Sequence, residues 1–448
     1  MQVRVSTALV LLATLAMLTV AAVPIKLHRP PHTFESNGLS QEANHKKIHG
    51  AGRKSVGRHI PMSGGILTLG AFFLDLTVGT GAGQQKFAVI VDTGSSNTAV
   101  PAVGCTRCAT NQLYNASMSP TSRPLACSDP MCTNCIPIPV GSASVPSGDQ
   151  KCQYGNAVCY NDMCGFGFAY GGGGTGTEGT IVTDVACLAN GTYCARIYLD
   201  QLQNEFPTGT QSSGILGLAY GGVACNPTCQ PPILDAMVAN GTLPANEDLF
   251  GMCLTKANGG IMDLGALDTT RYTGTMKYTK VVSDSFFSIE VKDILIGNIS
   301  IGVPRLFYKI HNDVLGSFVD SGTTVVLVGP YAMQRITDVM LENFPHLPHV
   351  DAIFGQGACV NFTNPNYVNL YPTISFVIEG LEGTNGDFTV SMDGTNYLLA
   401  SGGTLYCPGI AGVPSIGVIL GDVIMANYYI AFDRQNKKLG FADVQNCY

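Results

Sequence analysis

Two stretches of this chain end an apolar run in the same way. Phe87 to Pro101 reads FAVIVDTGSSNTAVP and delivers Asp92 into a turn of Thr93, Gly94, Ser95 and Ser96, while Phe318 to Pro330 reads FVDSGTTVVLVGP and delivers Asp320. A single Asp-Thr-Gly-Ser is most simply an Asx turn, in which the carboxylate bonds the backbone two residues on. Two copies, each at the end of a buried-strand signal, point to paired halves of one site.

A second pair of motifs follows the first. GILGLAY (Gly214 to Tyr220) comes after Asp92, and VILGDVIMANYY (Val418 to Tyr429) comes after Asp320. The order "Asp turn, then two apolar residues and a glycine" therefore occurs twice, at a spacing far longer than any solenoid repeat. It predicts two similar lobes, an N-terminal one over 61–266 and a C-terminal one over 267–448. Many short Val/Ile/Phe/Thr runs, set between the 53 glycines and 24 prolines, place the chain in the all-β class. Helices are expected only at Pro232 to Ala239 and Pro330 to Phe344, each opened by a proline. Phe166 to Thr183, FGFAYGGGGTGTEGTIVT, predicts a hairpin with a glycine tip. As a lid over a cleft, that hairpin would present Tyr170 and Gly171; otherwise it is a surface hairpin.

The first 60 residues differ from the rest. Residues 1–22 carry Arg4, an apolar run from Ala8 and small residues up to Ala22, the layout of a secretory signal peptide, with a retained signal anchor as the alternative. No other run is apolar enough to span a membrane, so the mature chain is expected to carry no stable span. Residues 23–60 hold most of the leader's Lys and Arg and five of the eight histidines, against Glu35 and Glu42. A basic leader on a body more acidic than the overall −7 predicts a removable prosegment held by charge, or else a basic tail with no inhibitory role. The acidic body argues against nucleic acid as a partner.

Sixteen cysteines behind a signal peptide read as disulfides. Cys105-x2-Cys108 and Cys132-x2-Cys135 have zinc-knuckle spacing, a reading that the compartment disfavours. Five Asn-x-Ser/Thr sequons, at Asn115, Asn190, Asn240, Asn298 and Asn361, fit the same compartment. His346-x2-His349 lacks further ligands, and no metal or other cofactor is expected.

Two carboxyls brought within hydrogen-bond reach supply a definite chemistry. Like charges so close cannot both ionise, so the pair keeps a proton, and one carboxylate can take a proton from water while its neighbour protonates a carbonyl oxygen. Gly94 and Gly322 allow a tight turn and close approach. Ser95 and Thr323 can donate hydroxyl hydrogen bonds to the carboxylates, and Thr93 and Ser321 can lock the loops together through the backbone. Neither a nucleophile elbow, a zinc-binding H-E-x-x-H helix nor a phosphate loop is present.

With DTGSSN, DSGTT, GILGLAY, ILGD and FDRQNKKLGFA (Phe432 to Ala442) in this order, the chain resembles the pepsin-like aspartic proteases over nearly all of its length after Gly64. The resemblance implies a bilobal β fold with a substrate cleft between the lobes, Asp92 and Asp320 as the catalytic dyad, and Tyr170 on a flap. It implies a monomeric endopeptidase, secreted or vacuolar/lysosomal, made as a zymogen and cleaving polypeptides at acidic pH. The phrase VPIKLHR (Val23 to Arg29) is similar to the start of that family's prosegment, whose lysine pairs with the dyad; Lys46 and Lys47 are the candidates. A catalytically silent binding or inhibitor protein of the same fold is the alternative. Ala99 stands where the family usually has a tryptophan supporting the flap tyrosine, as in beta-secretase-like members, and the chain has no Trp. Its cysteine-rich insert resembles nepenthesin-type proteases, although Gly172 replaces their usual flap Asp. Thirteen cysteines precede Leu267 and three follow, so complete pairing needs a bridge between lobes. The beta-secretase-like pattern implies Cys253 with Cys447, leaving Cys359 with Cys407.

Overall fold

A computed structural model describes residues 58–106, 108, 110–132, 136–137, 158–160, 162–170, 175–205, 213–224, 229–311, 314–381 and 386–447. The expected signal peptide, the leader up to 57 (with Lys46 and Lys47), and Gly171 and Gly172 lie outside these residues.

Alternation of apolar and polar residues sets the strands. In Ala71–Val78, Phe72, Leu74, Leu76 and Val78 are buried while Asp75 is exposed, and the strand runs antiparallel to Gln85–Asp92 with Phe73 opposite Ile90. The two halves of the chain then build the same four-strand motif. Gln85–Asp92 lies parallel to Ile215–Gly217, which is antiparallel to Thr98–Pro101, itself parallel to Tyr193–Glu205. In the second half, Ser317–Val319 lies parallel to Val418–Leu420, which is antiparallel to Val326–Val328, itself parallel to Ile410–Gly412. The repeated order of motifs in the sequence is thus a repeated topology, giving the bilobal all-β fold.

The glycine of each apolar-apolar-Gly motif is required by close approach. A Cβ on Gly217 would lie 2.5 Å from the Ser96 amide nitrogen, and one on Gly421 would lie 2.3 Å from the carbonyl oxygens of Thr323 and Val325. Each glycine strand therefore crosses directly over the turn that carries its aspartate.

One sheet joins the halves. Tyr272–Lys280, Lys438–Val444, Tyr428–Asp433, Leu249–Leu254, Gly260–Leu264 and Arg58–Gly65 lie side by side. Behind them Phe250 stacks on Phe432 at 4.6 Å, with Phe287 edge-on to both. Arg58–Gly65 buries Ile60 and Met62, so the leader boundary drawn at residue 60 falls inside a strand.

Helices form at Ile233–Ala239, behind Pro232, and at Pro330–Asn343, with Pro330 in the first turn. Among the described residues none is long and apolar enough to cross a membrane. Disulfides link Cys253 to Cys447 and Cys359 to Cys407, as the resemblance implied. Cys105 pairs with Cys108, Cys127 with Cys159, Cys132 with Cys164 and Cys187 with Cys194, so both zinc-spaced pairs contribute thiols to disulfides.

Candidate active site

The strands Gln85–Asp92 and Ser317–Val319 each end at the junction of the lobes, where their turns face one another. Asp92 and Asp320 are 9% and 7% exposed at this junction. Each carboxyl also sits against the opposite turn's glycine: a Cβ on Gly94 would lie 2.6 Å from the Asp320 carboxyl atoms, and one on Gly322 would lie 2.3 Å from Asp92 Oδ1. Any side chain at either glycine would push the pair apart.

Within each turn the carboxyl is held twice. Gly94 N–H donates to Asp92 Oδ1 at 2.8 Å and Ser95 Oγ to Asp92 Oδ2 at 2.5 Å. Gly322 N–H donates to Asp320 Oδ1 at 2.8 Å and Thr323 Oγ1 to Asp320 Oδ2 at 2.6 Å. Between the turns runs a reciprocal lock. Thr93 N–H donates to Ser321 Oγ at 3.2 Å and Ser321 N–H to Thr93 Oγ1 at 2.9 Å. Thr93 Oγ1 donates onward to the Val319 carbonyl and Ser321 Oγ to the Val91 carbonyl. Both hydroxyls are fully buried, and each turn satisfies the other's backbone.

Electrostatics favour a retained proton. Burial, and after it the charge of Asp92, raises Asp320 well above the usual carboxylate range, against the opposing pull of Thr323 and Gly322. Asp422, the residue after Gly421, lies behind the pair. It is fully buried, neither carboxyl oxygen has a hydrogen-bond partner among the described residues, and burial followed by the charges of Asp320 and Asp92 raises it strongly. The sequence signal for Asp422 was a single acid in the apolar run VILGDVIM. On the other side, Asn97 Nδ2 donates at 2.8 Å to Asp200, a fully buried carboxyl that also accepts from Gln230 Nε2 at 3.3 Å. Neither Asn97 nor Asp200 stood out in the sequence, because Asp200 becomes relevant only when its strand is laid beside Thr98–Pro101.

Tyr170 ends the strand Met163–Tyr170, opposite Thr175 across the hairpin, as the sequence predicted for the flanks of the glycine tip. Ala99 is buried in a cluster with Leu125, Phe166, Ile181, Leu202 and the bonded Cys132 and Cys164. The base of the hairpin is thus packed on a disulfide where the family usually supplies an indole.

A model of the eukaryotic aspartyl protease family matches residues 71–128 and 159–444. The chain belongs to that family. The unmatched stretch, 129–158, falls in the cysteine-rich insert. Among curated relatives, cathepsin E of Aquarana catesbeiana is 27% identical over 83% of this chain and 79% of its own length. Cathepsin D of Dictyostelium discoideum is 25% identical over 96% of both chains, and beta-secretase of Strongylocentrotus purpuratus is 26% identical over 60% of this chain and 54% of its own. This aspartyl protease is a pepsin-like, disulfide-bonded hydrolase of polypeptides.

Proposed function

We propose that this aspartyl protease is an endopeptidase that works at acidic pH through Asp92 and Asp320 and is made as a zymogen. The reading rests on one arrangement above all: two buried carboxyls, each set against the opposite turn's glycine, with each turn's backbone satisfied by the other's hydroxyl. With one proton shared by the pair, the charged carboxyl removes a proton from water as its oxygen attacks the peptide carbonyl, and the neutral carboxyl protonates the carbonyl oxygen. A tetrahedral diol forms, then breaks its C–N bond as the nitrogen takes a proton, with no covalent enzyme intermediate. Ser95 and Thr323 fix the outer carboxyl oxygens and leave the inner ones for the water.

The hairpin strand that ends at Tyr170 supports a flap role for Tyr170 and Gly171 over an extended peptide. The basic charge of the leader and the acidic charge of the body attract one another until acid weakens the attraction by protonating carboxylates. The sequence places removal of the leader between Arg58 and Gly64, and the strand Arg58–Gly65, with Ile60 and Met62 buried, favours the upstream end of that stretch. The mature chain is a monomer of the secretory pathway, secreted or vacuolar/lysosomal, and its disulfides fit an oxidising compartment.

The test is digestion of an unfolded protein at about pH 4, where such a pair keeps one proton. Wild type should cleave, and Asp92→Asn and Asp320→Asn should each abolish cleavage and binding of a statine-type transition-state analogue. Full activity in either variant would overturn the dyad.

A further inference from the structure

Arg434 is the most buried guanidinium among the described residues that also joins the two halves of the chain. It follows the strand Tyr428–Asp433 in the C-terminal half, yet its side chain is 2% exposed and all of its partners lie in the N-terminal half. Nε donates to Asp248 Oδ1 at 2.9 Å, Nη2 pairs with Asp235 Oδ1, and the guanidinium lies 5.2 Å from the centre of the Tyr220 ring. Nη1 donates to two backbone carbonyls, Leu218 at 3.2 Å and Ala219 at 3.3 Å.

Those carbonyls belong to the segment behind Asp92. Leu218 N–H donates to the Asp92 carbonyl at 2.8 Å and Ala219 N–H to the Ser95 carbonyl at 2.9 Å. The Leu218–Ala219 peptide group is therefore gripped at both ends, by Ser95 through its N–H and by Arg434 through its C=O. Ser95 in turn places its hydroxyl on the Asp92 carboxyl. Hydrogen bonds, relayed through the Leu218–Ala219 peptide and through Ser95, thus link an arginine of one half to the first carboxyl of the other.

The second copy of the motif needs no such arginine. There Gly421 is followed by the short helix Asp422–Met425, and Ala426 N–H closes on the Asp422 carbonyl at 2.9 Å. In the first copy, the Leu218 and Ala219 carbonyls take the guanidinium instead. A single nitrogen in place of the guanidinium cannot serve two carboxylates and two carbonyls at once.

We propose that Arg434 is a positioning residue for peptide hydrolysis, holding Ser95 and Asp92 in register with Asp320 through the Leu218–Ala219 peptide. The proposal rests on the dyad reading above. Its test compares kcat per active site, counted by titration with a statine-type inhibitor, in wild type, Arg434→Lys and Lys437→Gln. Lys437 shares the turn with Arg434 but pairs with Asp284 at the surface, so Lys437→Gln should match wild type. Arg434→Lys should lower kcat per titrated site about tenfold with KM within about twofold, because a displaced general base slows the chemical step more than it weakens substrate binding. Unchanged kcat per site, or a loss confined to KM, overturns the proposal. Should Arg434→Lys yield no titratable sites, Asp248→Ala, which removes the Nε acceptor while leaving the guanidinium in place, is read by the same two criteria. Asp320→Asn runs alongside: activity in that variant would sink the dyad itself, independently of Arg434.

Discussion

At the scale of single residues, the lock between the two turns makes the sharpest claim. Thr93 Oγ1 both accepts from Ser321 N–H and donates to the Val319 carbonyl, in a site with no exposure to solvent. Thr93→Ala removes both bonds and leaves a buried N–H unsatisfied, a loss of about 2–4 kcal/mol. Thr93→Ser keeps the hydroxyl, as Ser321 does on the opposite side, and should fall within about 1 kcal/mol of wild type once the lost methyl is allowed for. Urea unfolding at acidic pH reads the difference, and equal midpoints for the two variants would refute the lock. The hydrogen bonds that Ser95 and Thr323 give the aspartates, and those between Thr93 and Ser321, were legible in the sequence because all four residues stand within three positions of an aspartate. Asp422 and Arg434 were not, because an acid in VILGDVIM and an arginine in FDRQNKK acquire their meaning from groups more than a hundred positions away.

At the scale of elements, the paired motifs carried most of the fold. GILG and VILG could be matched in the sequence because crossing over an aspartate turn admits only glycine, and that steric demand leaves the same mark twice. The hairpin was legible from the glycine run between its strands, but its support was not, since disulfide partners cannot be read from spacing. The structure fills the place of the missing tryptophan: Ala99 is 2% exposed beneath Phe166, Leu202 and the Cys132–Cys164 bridge. Ala99→Trp should therefore overpack the base of the hairpin and destabilise the protein by roughly 1–3 kcal/mol, lowering the thermal midpoint. A raised midpoint would mean that the alanine leaves a gap and that the disulfide cluster is no substitute for the indole.

At the scale of the whole molecule, buried carboxyls whose protons are held by the fold predict a protein that is more stable in acid. Asp200 lies in the first lobe with two amide donors, Asn97 and Gln230, but no ion-pair partner among the described residues, and burial pushes it up to about 7. Asp320 and Asp422 are raised by the same dominant cause. The sign follows from proton counts. Between the ordinary value near 3.9 and about 7 the folded protein keeps the Asp200 proton while the unfolded chain has lost it, so stability falls as pH rises through that window. The loss across the window is on the order of 4 kcal/mol. Above it the carboxylate is ionised inside the lobe, where amide donors offset only part of its burial. Thermal unfolding measured at about pH 4 and again at about pH 7.5 should show a large loss for wild type and a smaller one for Asp200→Asn, which cannot ionise. The variant should gain nothing at the acidic end, where wild-type Asp200 is already neutral in the fold. Equal losses in the two proteins would show that Asp200 is not among the groups that tie this fold to acid.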